Sequence, residues 1–274
     1  MTTPWQLAGI DFTSRPTRRK PITVALGQAA HGVVRLERVD THDGFDGWLA
    51  WLRTPGPWLG AFDFPFGLPR ELVQALGWPM DWLPLMQHYA ALSRDEIRTR
   101  FAAFCDARPA GRKFAHRAAD GPAGSSPSMK WVNPPVAYML HAGVPLLLEA
   151  GVDLPGLHAG DPQRVAIEGY PGLLARELLG RRSYKADDKA RQTPERLIAR
   201  KDLLDALEQG RSRLGLRLRL SHAQRDALVA DASGDRLDAV LCLVQAAWAA
   251  GQADHGRPSA SDPLEGWIAT APLR

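Results

Sequence analysis

The chain has 274 residues, enough to bury a substantial core and at the upper end of what one domain spans, so a single domain over 1–274 is expected. Apolar residues make up 45% and charged residues 23%, which excludes a disordered or fibrous class. The longest apolar stretch, residues 239–250, contains Gln245 and falls short of the ~20 residues a membrane helix needs, so no membrane partner is expected.

The two cysteines, Cys105 and Cys242, lie far apart without metal-ligand spacing, and no basic-then-apolar leader precedes the first strand. Both features point to a soluble, cytoplasmic protein. Net charge is only +4, yet windows 15–20, 108–130, 176–201 and 211–225 are each strongly basic. Basic windows beside an acidic site fit a polyanionic partner such as nucleic acid.

The chain opens on alternation. Residues 6–12, 22–26 and 33–39 read as three antiparallel strands joined by Gly- and Pro-marked turns. Phe45, Trp48, Leu49 and Leu52 fall at helical spacing, and Thr54-Pro55-Gly56-Pro57 stops that helix. A fourth strand at 58–64 follows. A helix-length connection lets it lie parallel to an earlier strand, giving a mixed sheet with Asp11 and Asp63 at one end.

Residues 64–163 read as a mainly helical insertion, with helices near 70–76, 82–92, 95–107 and 136–150. Its Gly/Ser/Pro-rich loop at 108–135 is long enough to be functional. A fifth strand at 164–168 precedes a region read as wholly helical, which ends in an apolar helix at 235–250. The expected fold class is therefore α/β, a mixed five-stranded sheet flanked by helices.

Three acids share one signature: an apolar strand, a carboxylate at its end, then a turn. They are Asp11 in Gly9-Ile10-Asp11, Asp63 in Phe62-Asp63-Phe64-Pro65, and Glu168 before Gly169-Tyr170-Pro171-Gly172. A buried lone charge must be paired, protonated or metal-bound. Simpler roles are open to each: turn capping for Asp11, and capping of the following helix for Glu168. Asp235 and Asp238 open the last helix at i and i+3, so both can face one ion, although Asp235 also suits an N-cap. Converging carboxylates without Cys or clustered His select Mg²⁺ or Mn²⁺. Two such ions ~4 Å apart suit an in-line phosphoryl displacement. The basic hairpin Arg15, Arg18, Arg19 and Lys20 supplies candidate phosphate contacts. No Walker A, GxGxxG, HExxH or GxSxG pattern occurs.

Gly9-Ile10-Asp11, Phe62-Asp63-Phe64-Pro65-Phe66-Gly67, Glu168-Gly169-Tyr170-Pro171-Gly172, Tyr184-Lys185, Arg191 and Asp235-Arg236-Leu237-Asp238-Ala239 together resemble the motifs of the domain-of-unknown-function 429 family, a set of predicted nucleases. The final helix is also similar to that of RuvC-like Holliday junction resolvases. The resemblance implies an RNase H-like fold and a metal-dependent nuclease. It implies Asp11, Asp63 and Asp238 as metal ligands, with Glu168 or Asp235 as the additional catalytic acid. Tyr170, Lys185 and Arg191 become substrate contacts, the last two alternatively ion-pair partners. An acid on the fifth strand departs from simpler resolvase sites. Two other functions fit parts of the pattern: an actin-like ATP-dependent phosphotransferase, whose phosphate hairpin residues 15–20 would suit, and a non-catalytic nucleic-acid-binding protein.

Overall fold

A computed structural model describes residues 5–272. Strands β1 (Gln6–Asp11), β2 (Ile22–Ala30) and β3 (Val33–His42) form an antiparallel meander, as their alternation predicts. Helix α1 (Phe45–Leu52) then crosses to β4 (Trp58–Phe62), which pairs parallel to β1 with Ile10 opposite Phe62. Next come α2 (Arg70–Ala75), α3 (Trp82–Ala90), α4 (Arg94–Asp106), α5 (Asp120–Ala123) and α6 (Val136–Glu149). The short β5 (Val152–Asp153) and the longer β6 (Asp161–Glu168) follow, β6 lying parallel to β4. The chain continues through α7 (Pro171–Leu179), α8 (Pro194–Glu208), β7 (Arg217–Arg219), α9 (His222–Ala230) and α10 (Asp235–Ala250).

Among the described residues the sheet has seven strands, in the order β5-β6-β4-β1-β2-β3-β7, where five were expected. The two additions are edge strands of two and three residues, too short to show alternation. β7 also corrects the expectation that everything beyond 168 is helical.

Alternation sorts each strand's side chains onto two cores. Ala8, Ile10, Val24 and Phe62 face α1, α2, α3, α4 and α6, while Leu7, Ala25, Leu59 and Ala61 face α7, α8, α9 and α10. Residues 64–163 thus supply most of one helical layer and share a core with the sheet. Among the described residues no helix is long and apolar enough to cross a membrane.

Helix α10 is apolar on nearly every side because it lies between the sheet and the other helices of its layer. It rests directly on β1. A Cβ on Gly9 would fall 2.0 Å from both the Ala239 carbonyl oxygen and the Leu243 nitrogen. Only glycine lets strand and helix backbones approach this closely. Gly9→Ala is therefore expected to push α10 outward and lower thermal stability by roughly 1–3 kcal/mol, the usual cost of overpacking. It should also weaken any metal-induced rise in melting temperature, since Asp238 rides on that helix. Unchanged melting would contradict this packing.

Candidate metal centre

Parallel pairing carries β1 and β4 to the same end of the sheet. The ladder continues past the strands, where the Asp63 N–H donates to the Ile10 carbonyl at 2.9 Å and the Gly169 N–H to the Phe62 carbonyl at 2.8 Å. Asp11 and Asp63 are thereby fixed side by side. The residue after each acid is a phenylalanine that locks into the core: the Phe12 and Phe64 rings lie 4.6 Å apart, centroid to centroid. Aromatic packing beneath the acids holds their backbones in place.

The third carboxylate comes from α10. Gly234, with φ of 81°, caps the helix, so Asp235 is its first residue rather than the N-cap that it also suited. Asp238, one turn in, is fully buried and turned toward the strand ends. One oxygen from each of Asp11, Asp63 and Asp238 lies within 4.8 Å of the other two.

Like charges this close in a desolvated setting oppose one another's ionisation. Burial, then Asp238, Asp235 and Asp63, push the Asp11 carboxyl well above the usual range. Burial, then Asp238, raise Asp63 to about 7. The chain offers partial compensation. Lys185 Nζ donates to one oxygen of Asp238 and the Tyr184 hydroxyl to the other. Burial alone would lower the Lys185 ammonium, but Asp238, Tyr184, Asp11 and Asp63 raise it well above its ordinary value.

Not every candidate acid joins this group. Asp235 sits 3.5 Å from Lys20 Nζ, which also pairs with Asp187 at 2.8 Å. Glu168 is buried and held by a guanidinium: Arg117 reaches its two oxygens at 2.7 and 2.6 Å, and the Phe66 N–H adds a bond at 3.1 Å. Burial raises the Glu168 carboxyl while Arg117 pulls it the other way. Its chemistry here is that of an ion-pair partner behind Asp63.

A cleft of about 1180 Å³ opens over the acids, with Lys20, Tyr170, Lys185 and Arg191 in its lining. Arg15, Arg18 and Arg19 are exposed and lie outside that lining. The Tyr170 hydroxyl accepts from Arg176 at 3.1 Å, while Arg191 makes no ion pair among the described residues.

Sequence reasoning missed Arg117, Asp120 and Glu265, which lock the 108–135 loop to the sheet end. It also missed the role of Tyr184, although the Tyr184-Lys185 pair was visible, and Arg181, which lines the cleft. Only oxygen donors converge at the three acids, and their spacing suits a hard divalent cation such as Mg²⁺ or Mn²⁺. Cys242 lies one turn beyond Asp238, but burial and then Asp63 push its thiol up, which disfavours the thiolate a softer metal would need. No protein-family model, curated protein or solved structure matches the chain.

The raised carboxyls predict a pH signature. Asp63 titrates near 4 when unfolded and about 7 in the metal-free fold, so the fold favours its protonated form. Stability of metal-free protein is therefore expected to fall as pH rises through that window. Metal binds the ionised form, so the Mg²⁺-induced rise in melting temperature should be larger at about pH 8 than at about pH 6. Differential scanning fluorimetry with Mg²⁺ or EDTA checks this, and a Mg²⁺ response that grows on acidification would overturn it.

Proposed function

We propose that the protein is a divalent-metal-dependent phosphodiesterase of the RNase H-like class that cleaves nucleic acid. The observation that carries this is the convergence of Asp11, Asp63 and Asp238 within 4.8 Å, with Asp11 and Asp63 lining a cleft with a basic rim and Asp238 buried behind them. Three further features support it. The central strand order β3-β2-β1-β4-β6, with only β2 antiparallel to the rest, is the order that an RNase H-like reading requires. The third ligand comes from the start of a helix packed on that core, in keeping with the RuvC-like resemblance. The motifs shared with the domain-of-unknown-function 429 family fall around the cleft.

In this reading Asp11 and Asp63 present oxygens from the strand ends and Asp238 from the helix. Bound Mg²⁺ or Mn²⁺ supplies an activated water and neutralises charge on the phosphate. Lys185 lies beside the acids, ready to exchange Asp238 for a phosphate oxygen. Arg191 stands at the rim to hold the flanking backbone. Tyr184 keeps the Asp238 carboxylate oriented. Of the hairpin that would suit the phosphotransferase alternative, Lys20 lines the cleft while Arg15, Arg18 and Arg19 do not.

The test is cleavage of labelled single-stranded, duplex and branched DNA and RNA with Mg²⁺, Mn²⁺ or EDTA. Metal-dependent cutting, lost with EDTA, is expected. Folded protein that binds metal but cuts none of these substrates would sink the reading.

A further inference from the structure

We propose that the cleft takes one nucleic-acid strand at a time, with phosphates along the wall built by residues 180–196 and bases toward the wall built by residues 125–139. The inference rests on the phosphodiesterase reading and adds the form of its substrate.

The two walls rise from opposite faces of the sheet. Met129 and Ala137 root one in the core beneath α3, α4 and α6, whereas Leu179 and Tyr184 root the other in the core beneath α7, α8 and α10. Their chemistry differs sharply. The 180–196 wall brings Arg181, Arg182, Lys185, Arg191 and Arg196 to the cleft against Asp187 and Asp188. Of these, Arg181, Arg191 and Arg196 make no ion pair among the described residues; Arg196 donates to the Lys185 carbonyl, which leaves Arg181 and Arg191 available to phosphate.

The facing wall lines the cleft with Ser125, Ser126, Asn133, Pro134 and Met139, none of them charged, and the one charged residue of that segment, Lys130, lies outside the lining. Two bases lie near it without altering this. The Arg117 side chain is only 1% exposed and is held between Glu168 and Asp120. Arg176 directs its guanidinium to the Gly124 carbonyl at 2.9 Å and to the Tyr170 hydroxyl.

A duplex carries phosphate on both outer edges, so one of its backbones would lie against the uncharged wall without counter-charge. A single strand has one anionic edge and one edge of bases. Hydroxyls, an amide and flat apolar surface are the groups that meet splayed bases, by hydrogen bonding and by contact. The cleft volume of about 1180 Å³ also exceeds what a single small ligand fills, typically ~300–1,000 Å³.

The experiment is fluorescence anisotropy of the wild-type chain with labelled single strands of roughly 15 nucleotides, DNA and RNA, against blunt duplexes of the same sequence. It runs across a salt series with Ca²⁺ and is paired with Mg²⁺ cleavage of the same probes. Single strands should bind at least about tenfold tighter than duplexes. Arg181→Ser/Arg191→Ser should weaken binding and lower the salt slope by about 1.4, at ~0.7 per single-strand phosphate contact. Asn133→Ala should leave that slope unchanged while altering base preference. Equal or tighter duplex binding overturns the inference, as does an unchanged slope in the double variant. Strand-selective binding without cleavage upholds the inference and removes the phosphodiesterase reading; cleavage of duplex in preference to single strand does the reverse.

Discussion

Asp11→Asn should stabilise the metal-free protein and abolish the metal-dependent cleavage proposed for it. Asp11 is 9% exposed, and its carboxylate accepts no hydrogen bond among the described residues and faces Asp63, Asp235 and Asp238. An amide keeps its shape and removes a charge that burial and these neighbours all oppose. A gain of about 1 kcal/mol would raise the melting temperature by roughly 2–4 °C in a chain of this size. The rise expected from Mg²⁺ in wild type should disappear. Cleavage should drop by more than ~100-fold, because losing a partner of a metal ligand already costs ~10–100-fold. A structural carboxylate would give the opposite sign, so a lowered melting temperature in Asp11→Asn refutes a metal-holding role. Asp238→Asn is the informative companion. It loses cleavage equally, but it also disturbs the bonds from Tyr184 and Lys185, so its gain in stability should be smaller.

What the sequence made legible follows from local repetition. Apolar alternation exposed β1, β2, β3 and β4, and an acid ending such a strand stood out because nothing nearby in sequence could neutralise it. The parallel return of β4 after α1 then placed Asp11 beside Asp63. Asp238 was legible because it interrupts a helix that is otherwise apolar all round. Glu168 carried the same signature, yet its neutralising partner lies 51 residues earlier, in a loop. Spacing cannot reveal such a pairing. The hairpin 15–20 is divided in the structure for a related reason: charge density along a chain does not say which way a turn points, and of its four bases Lys20 lines the cleft.

Arg117→Ala should be among the most destabilising single changes in the molecule. Its guanidinium bonds Glu168 at 2.7 and 2.6 Å, Asp120 at 3.1 and 2.9 Å, and the Glu265 carbonyl at 3.2 Å. Burial alone would lower its basicity, but Glu168 and Asp120 more than offset that and raise it. Removing the cation strands two buried carboxylates, at a cost of about 3–5 kcal/mol. The expected fall in melting temperature is on the order of 10 °C, read by calorimetry. Glu168→Gln should cost less, because an amide still accepts the Phe66 N–H and leaves Arg117 paired with Asp120. The same pair of variants separates two roles for Glu168. As an anchor behind Asp63 it makes Glu168→Gln a change mainly in stability, with a Mg²⁺ response still measurable. As a metal ligand it would make Glu168→Gln resemble Asp11→Asn, stabler without metal and blind to Mg²⁺. The bidentate geometry commits Glu168 to Arg117, and with it the 108–135 loop to the end of the sheet where the three acids meet.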